Sequence, residues 1–493
     1  MKDFFLTKGR YTNLKNKIFL KELDGISLTF DEFNKYVDYQ IGIFKKDKLN
    51  EKDPVLLICS NSIRCSIIIF AAIKYGLKLI TLASNPTSLE LSNMIEEFEP
   101  KIVITLDKSL LKNKKIDTRF LYIKNSLPKK IKIKKTLKVS SKGYLIVKSS
   151  GTTGLGKNIC LSFKKLWDSG ENFCKLHNIS HDNVFWNYLP FSYLGGLFNL
   201  LILPTTSGST ILIDKSFNSA MLLSFISTIK NFKISNIWLV PSILRSLLIL
   251  HKHTKIDLKQ IGLKKIFVGT APLNFKLKKE FEEKFGLYPL ENYGLSETTF
   301  ISSEFSDDKK SIKKDFLGKK LKRVKIKLIK EKNSKFGEIY VQTPFLFEGY
   351  YINGKLKKVN NSSFFPTGDI GLIKNNLIQV KSRKKNIIKK GGIMILPEEI
   401  ENNINKYDNS IEAVCLKRDN YLYGESFDIF IKIDKTKNKI QQKLKIFKKW
   451  YFTNFSKLYW PDSFYLIKNF PVTNSGKIEK YKLKNIKFKK NEF

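Results

Sequence analysis

The chain has 493 residues, of which 42% are hydrophobic and 13% aromatic, so the composition excludes a disordered protein and predicts two or more folded domains. The formal net charge of +44 comes almost entirely from lysine, since Lys and Arg total 89 and arginine occurs at only seven of those positions. A lysine excess of this kind is typical of an A+T-rich genome, and it also suits a surface that attracts anions. It therefore does not by itself predict nucleic-acid binding.

The cysteines are odd in number, scattered, and form no CxxC pair, which predicts a reduced, cytoplasmic protein without a metal cluster. They lie at Cys59, Cys65, Cys160, Cys174 and Cys415.

The first part of the chain alternates between strand and helix patterns. Residues 54–61 form a short apolar run, 63–76 have a helical pattern, and 77–82 and 101–107 are strand-like on either side of a helical segment at 88–100. This β-α-β-α-β order predicts a parallel sheet covered by helices. Similar apolar strands that end in small-residue turns follow within 224–242 and 263–273. Ligands of such sheets bind at the carboxyl ends of the strands.

One uncharged stretch, residues 183–213, is long enough to raise the question of a membrane span. Pro190 and Pro204 interrupt it, and Gly195 and Gly196 lie inside it. We therefore expect a buried pocket wall and no integral membrane association.

The second part of the chain changes in character. Short strands are predicted at 324–330, 337–343 and 377–382, which indicates a β-rich subdomain. After Arg383 a compact unit of helices and strands is expected.

Residues 149–158, SSGTTGLGKN, follow the apolar strand at 144–148 and come within one residue of the P-loop pattern GxxxxGK[ST]. Asn158 stands where the P-loop has a magnesium-binding hydroxyl, so the loop alone leaves two interpretations open: an altered P-loop, or another phosphate-binding loop rich in glycine and hydroxyls.

Four further motifs decide between them. They are GTAPL at 269–273, NYGLSETT at 292–299, PTGD at 366–369 followed by SRKKNIIKKGGIMILPEEIE at 382–401, and PVTNSGKIEK at 471–480. Together with the first loop, and in this order, they resemble the AMP-forming adenylate superfamily of acyl-CoA and aryl-CoA synthetases, peptide-synthetase adenylation domains and luciferases. The resemblance covers the chain from about residue 50 to its end, and it argues against a P-loop.

The resemblance implies an α/β fold: a large N-terminal domain of parallel and mixed sheets covered by helices, with a β-rich subdomain, and a small mobile α+β C-terminal domain. It divides the chain into residues 1–382 and 386–493, with a hinge at 383–385 centred on Lys385. It also implies ATP, Mg²⁺ and coenzyme A as cofactors. A carboxylate would attack the α-phosphate of ATP, and a thiol would then attack the acyl-adenylate.

The resemblance also assigns roles to residues. Glu297 corresponds to the Mg²⁺ ligand, Ser296 to a hydroxyl at the α-phosphate, Arg383 to the arginine near ribose and α-phosphate, and Lys477 to the lysine that bridges the carboxylate and the α-phosphate. The cofactor-binding positions are Ser149, Ser150, Gly151, Thr152, Thr153, Gly154 and Lys157 for the phosphates, Gly269, Thr270, Ala271 and Tyr293 for adenine, Asp369 for the ribose hydroxyls, and Gly392 for the pantetheine arm.

The acid-binding pocket is expected around Trp186, Tyr193, Gly195, Gly196 and Gly294. Tyr193 replaces a histidine that is usual in the family. No Asp or Glu lies between 183 and 213 to pair with a substrate ammonium, which favours a fatty or aromatic acid over an amino acid.

Three functions are left open by these residues. The first is an acid–CoA ligase, and the second is a ligase that loads an acyl or aminoacyl group onto a carrier protein. The third is a non-catalytic basic protein that binds nucleic acid or a membrane surface. Retention of the charged motif residues favours an enzyme that binds a small carboxylic acid and no nucleic acid.

Overall fold

A computed structural model gives the arrangement of most of the chain. The described residues are 9–112, 118–128, 131, 139–140, 142–148, 157–269, 273–330, 334–352, 354–360, 362–390, 393–433, 440–472 and 478–484.

The strands are numbered in chain order along the described residues. Those of the first part are β1 (Ile18–Glu22), β2 (Ser27–Thr29), β3 (Pro54–Cys59), β4 (Lys78–Ala83), β5 (Ile102–Thr105), β6 (Phe120–Tyr122), β7 (Tyr144–Lys148), β8 (Asn158–Ser162), β9 (Val184–Asn187), β10 (Thr210–Ile213), β11 (Asn236–Leu239), β12 (Lys265–Val268) and β13 (Pro289–Leu295). Those of the second part are β14 (Thr299–Ser303), β15 (Lys319–Lys320), β16 (Lys325–Lys330), β17 (Gly337–Gln342), β18 (Gly349–Ile352), β19 (Lys355–Lys358), β20 (Phe365–Lys374), β21 (Leu377–Arg383), β22 (Ile388–Lys390), β23 (Ile393–Ile395), β24 (Ile411–Asn420), β25 (Gly424–Ile433) and β26 (Ser463–Leu466).

The helices are numbered in the same way. They are α1 (Phe30–Lys46), α2 (Ile63–Tyr75), α3 (Ser88–Phe98), α4 (Phe163–Leu176), α5 (Leu203–Thr206), α6 (Met221–Asn231), α7 (Pro241–Leu250), α8 (Phe275–Phe285), α9 (Pro397–Tyr407), α10 (Ile440–Asn454) and α11 (Lys480–Lys484). A π-helical segment, Gly195–Ile202, leads into α5.

Local sequence signals explain where the early helices begin and end. The Thr29 hydroxyl accepts a hydrogen bond from the backbone N–H of Glu32, and the Glu32 carboxylate accepts one from the backbone N–H of Thr29, so α1 starts at a capping box. Ser62 caps α2, and Gly76 ends it in the left-handed conformation at φ 84°.

Within the described residues the strands form three sheets. The largest has the order β16-β17-β20-β21-β15-β14-β13-β12-β11-β9-β10-β1-β2, the second has the order β19-β18-β8-β7-β4-β3-β5-β6, and the third has the order β23-β22-β25-β24 with β26 beside β25. The predicted parallel arrangement is confirmed: β3 pairs in parallel with β4 and β5, and β11 with β12 and β9.

The β-rich region contributes to two sheets. Strands β16, β17, β20 and β21 extend the largest sheet, whereas β18 and β19 extend the second sheet by pairing with β8. This segment therefore ties the two large sheets together next to Lys157, which immediately precedes β8.

The buried apolar side chains separate into cores. The largest core extends along the chain from Tyr11 to Ile378, and another begins at Ile388 and includes Phe447 and Tyr451. The confirmed α/β fold therefore includes a smaller sheet with a core of its own from residue 388 onwards, while the predicted boundary at 383–385 stays a prediction.

A buried ion pair joins α1 to α2, far in the sequence from the five motifs of the expected active site. The Lys74 ammonium lies 2.6 Å from the Asp38 carboxylate, and the two side chains are 0% and 6% exposed. Such a pair is costly to break, because one charge would be left buried without its partner.

Candidate active site

The best-defined polar group in the expected site is the Asp369 carboxylate on β20. Its side chain is 2% exposed, and the Arg383 guanidinium on β21 lies 2.7 Å from Oδ1. The Tyr293 hydroxyl donates to Oδ2 at 2.5 Å. Burial raises the pKa of Asp369, while Arg383 and the Tyr293 hydroxyl act in the opposite direction. The carboxylate is therefore held in place from both sides.

Strand register accounts for this arrangement. Asp369 and Arg383 are directly paired residues of the antiparallel strands β20 and β21. The Arg383 Nη1 also donates to the carbonyl of Thr367 at 3.1 Å, and the Thr367 hydroxyl accepts from the backbone N–H of Asp369. Because cross-strand partners have neighbouring side chains, the hairpin sets the ion pair. Each carboxylate oxygen has a second lone pair with which to accept a ligand hydroxyl.

Glu297, the expected magnesium ligand, is part of a second polar group. The Tyr350 hydroxyl donates to Glu297 Oε1 at 3.1 Å. The Lys157 ammonium lies 4.8 Å from the centre of the Tyr350 ring, within the range of a cation–π contact. Burial and the neighbouring Glu297 raise the pKa of Tyr350, so its hydroxyl stays a donor. Tyr350 thus connects the predicted metal ligand to the predicted phosphate-loop lysine.

The two polar groups interact electrostatically. Glu297 is close enough to Asp369 to raise the pKa of that carboxyl, although burial has the larger effect. The pKa of Lys385 is lowered, first by burial and then by Arg383 and Lys157. The structure therefore brings these charged residues into one region, although they come from three separate segments of the chain.

The turn between β13 and β14 explains the glycine in NYGLSETT. A Cβ on Gly294 would lie 1.9 Å from the carbonyl oxygen of Thr299, so no side chain fits there. The close approach of the two strands holds Tyr293 before the turn and Glu297 within it. Ser296 is half-buried in the same turn.

Gly269 lies at the end of β12 against buried groups. An added Cβ would be 3.5 Å from Trp238 Nε1 and 3.6 Å from the carbonyl oxygen of Asn292. The Asn292 side chain donates to the carbonyl of Val268 at 3.3 Å, which joins β13 to β12 beside this glycine.

The predicted pocket segment is buried and closely packed. The Trp186 indole N–H donates to Asp214 at 3.1 Å, and the Asn187 amide donates to the carbonyl of Gly196 at 3.0 Å. A Cβ on Gly196 would lie 2.3 Å from the backbone oxygens of Leu189 and Pro190. Burial raises the pKa of Tyr193 to about 12, so its hydroxyl is neutral near pH 7. This segment is therefore buried and closely packed, and its role as the wall of an acid pocket stays a prediction.

A Cβ on Gly195 would lie 2.5 Å from the Tyr193 ring, so this glycine and Tyr193 pack against each other. No described helix combines the length and the hydropathy that crossing a bilayer requires.

Ten of the predicted site residues lie outside the described residues. They are Ser149, Ser150, Gly151, Thr152, Thr153, Gly154, Thr270, Ala271, Gly392 and Lys477. The residues that flank two of these segments are paired: Lys148 with Asn158, and Val472 with Ile478.

Residues 10–351 match the family described as AMP-binding enzyme. The chain belongs to this family. The prediction of an adenylate-forming enzyme is therefore confirmed.

Relatives within the family are CoA ligases by name. The chain is 26% identical over 453 residues to the 2-succinylbenzoate–CoA ligase of Lactococcus lactis subsp. lactis (strain IL1403), which covers 88% of this chain and 91% of that protein. It is 24% identical over 445 residues to 4-coumarate–CoA ligase-like 6 of Arabidopsis thaliana, with 82% and 77% covered.

The fold is also that of a solved structure from this group. The o-succinylbenzoate CoA synthetase of Bacillus subtilis, solved with the acyl-adenylate intermediate, superposes with a TM-score of 0.81 at 19% identity, over 100% of this chain and 99% of that one. At this level of identity the likeness shows the fold, and the predicted fold class is confirmed.

Two residues that contact the motif carboxylates or their backbone, Tyr350 and Thr367, were not predicted from the sequence. Tyr350 has no local motif that marks it, because its contact with Glu297 crosses 53 positions. Thr367 lies inside PTGD, and its contact was predictable from the sequence. A threonine two residues before an aspartate readily accepts a hydrogen bond from the backbone N–H of that aspartate.

Proposed function

We propose that this chain is an AMP-forming acid–CoA ligase. ATP and Mg²⁺ activate a carboxylic acid as its acyl-adenylate with release of pyrophosphate, and the thiol of CoA then displaces AMP. The observation that carries the proposal is the Asp369 carboxylate, buried between the Tyr293 hydroxyl and the Arg383 guanidinium in a chain of the AMP-binding family.

The described residues fit ATP and Mg²⁺. Glu297 offers a half-buried carboxylate, the hard oxygen donor that Mg²⁺ prefers. Lys157 is exposed, with its ammonium over the Tyr350 ring, and would supply positive charge for phosphate oxygens. Asp369 has acceptor capacity left for ribose hydroxyls. Mg²⁺ would neutralise phosphate charge as the carboxylate approaches.

Residue roles beyond this set follow the family. Lys477 would stabilise the transition state of adenylation, with Ser296 and Arg383 at the α-phosphate. We propose two domains, residues 1–382 and 386–493, that rotate about Lys385 so that the loop with Gly392 replaces that of Lys477 for the thiol step.

An aromatic acid is the favoured substrate. Relatives are named for 2-succinylbenzoate and 4-coumarate, and another solved neighbour is an anthranilate CoA ligase. The pocket segment of this chain contributes buried Trp186, Phe191 and Phe198. Asp214, the first carboxylate after this segment, already accepts from Trp186, which argues against an amino acid that needs an ionic partner.

CoA is the favoured acceptor because these relatives are named as CoA ligases, and a carrier protein has no comparable support. A cytoplasmic location remains a proposal that rests on five unpaired, buried cysteines.

The test is pyrophosphate and AMP release from MgATP with a panel of aromatic, fatty and amino acids, with and without CoA. We expect release that depends on an aromatic acid, rises with CoA, and collapses in Lys477→Ala but not in the control Lys468→Ala, which changes an exposed lysine nearby. Release that is indifferent to CoA would favour a carrier protein as acceptor. An absence of release with every acid would refute the ligase.

A further inference from the structure

A buried ionic triad accepts a hydrogen bond from the backbone of Leu273, the last residue of GTAPL. Lys278 on α8 is 2.8 Å from Glu291 and 2.9 Å from Glu304. The three side chains are 2%, 3% and 0% exposed. Neither the proposed chemistry nor any sequence motif makes use of these charges, and burying them is costly unless each is well paired.

Every carboxylate oxygen of the triad accepts a hydrogen bond. Lys278 donates to one oxygen of each glutamate. The other oxygen of Glu291 accepts from the backbone N–H of Leu273 at 2.9 Å, and the other oxygen of Glu304 accepts from the backbone N–H of Glu291 at 2.8 Å. Each of the four carboxylate oxygens therefore has a hydrogen-bond donor within the protein.

These bonds connect the elements that the nucleotide would touch. Leu273 is the last residue of GTAPL, and Glu291 precedes Tyr293 by two positions on β13. Glu304 follows β14, and its backbone N–H donates to the carbonyl of Glu291 at 3.0 Å. The triad thus fixes the end of the GTAPL segment to the strand that carries Tyr293.

We propose that Lys278, Glu291 and Glu304 are positioning residues for ATP: they fix Leu273 to β13 and hold the strand of Tyr293 in place before the nucleotide arrives. This inference rests on the proposed function, because the adenine-binding role of Gly269 and Tyr293 comes from the family resemblance. Preformed sites bind more tightly because less ordering is required on binding.

The electrostatics support this role. Burial raises the pKa of Glu304 to about 7, and Lys278 is the main group that opposes the shift. Burial disfavours the charged form of Lys278, but the two glutamates outweigh it and raise the lysine pKa. The bond pattern therefore depends on all three members.

The test compares Glu291→Gln with Glu304→Gln. A glutamine at 291 has one oxygen and one NH₂ group, so it loses its bond either to the Leu273 N–H or to Lys278. We expect Glu291→Gln to raise the Kd for MgATP by about tenfold, the order of one hydrogen bond to a charged group, with kcat at saturating ATP nearly unchanged. Glu304→Gln, one bond further from the segment, should raise the Kd less.

Asp38→Asn is the matched control, since it breaks another buried lysine pair, remote in sequence from these motifs. It should lower the thermal midpoint without changing the Kd for MgATP measured by calorimetry. Equal thermal losses in Asp38→Asn and Glu291→Gln, with wild-type Kd in both, would overturn the positioning role. If Glu291→Gln does not fold, Glu304→Gln decides the question: a wild-type Kd would overturn the role.

The same measurements separate the two proposals. ATP binding that weakens in Glu291→Gln, without any acid-dependent pyrophosphate release by the wild type, would support the triad and refute the ligase. Failure of the wild type to bind MgATP would refute both.

Discussion

Removal of the Tyr350 hydroxyl tests whether this side chain organises the metal and phosphate region. Tyr350→Phe deletes the 3.1 Å hydrogen bond to Glu297 and leaves the ring that faces Lys157. A hydrogen bond to a charged group is worth about 1.5 to 3 kcal/mol. Because Glu297 is only half-buried, we take the lower end, which corresponds to about a tenfold effect.

The effect should appear as a weaker response to magnesium. We expect the apparent KM for Mg²⁺ in acid-dependent pyrophosphate release to rise about tenfold in Tyr350→Phe, since the bond aligns the carboxylate for the ion. Tyr350→Leu also removes the aromatic face and should lose a further factor of about three, in line with an exposed cation–π contact.

The neighbouring Tyr351 provides the matched control. It points to the other face of β18, where its ring lies 5.5 Å from that of Phe98. Tyr351→Phe should therefore leave the magnesium response unchanged. Equal magnesium curves for Tyr350→Phe and wild type, or an equal loss in Tyr351→Phe, would refute the reasoning.

Two further predictions concern the ribose site and the pH dependence of stability. Asp369→Asn leaves Arg383 without its carboxylate and should raise the KM for ATP by at least about tenfold, as measured by pyrophosphate release, with a smaller change in the KM for the acid. Burial lowers the pKa of His177 from 6.5 to about 3. Between pH 6.5 and pH 3 the unfolded chain therefore binds more protons than the folded chain. The free energy of unfolding falls as the pH falls through this range. His177→Gln should remove about 2 kcal/mol of the loss between pH 6.5 and 5 in urea unfolding, and an unchanged pH slope would contradict the burial of neutral His177.

Strong local patterns made much of the fold predictable. The apolar runs at β3, β4 and β5 are short and separated by helical periods, and the structure pairs them in parallel as predicted. Helix α9 starts at Pro397, where proline lacks only an N–H that the first turn does not use.

Sheet membership was not predictable from the same patterns. Nothing in the residues of β18 tells which of two sheets it joins, because pairing with β8 depends on a connection of nearly 190 residues. Local propensity has no information at that separation, and tertiary packing decides the outcome.

The residues of the site also differ in whether the sequence predicts their contacts. Asp369 and Arg383 belong to recognisable motifs, and their pairing follows from a hairpin. Lys278 lies among many lysines in α8, and only its position on the inner face of the helix distinguishes it from the exposed Lys279. The partners of buried charges are set by packing, which a single sequence does not specify.

The pairing of β8 with β18 also has a consequence for how the protein is made. During synthesis, β8 and the residues before it leave the ribosome long before Gly349–Ile352 exist. Until then one side of β8 is an open strand edge, which is prone to pair with other chains. The edge of β8 stays open until residue 352 is made, and the second sheet is complete only at residue 358. We therefore expect fragments that end before Gly349 to aggregate and fragments that end after β19 to be more soluble.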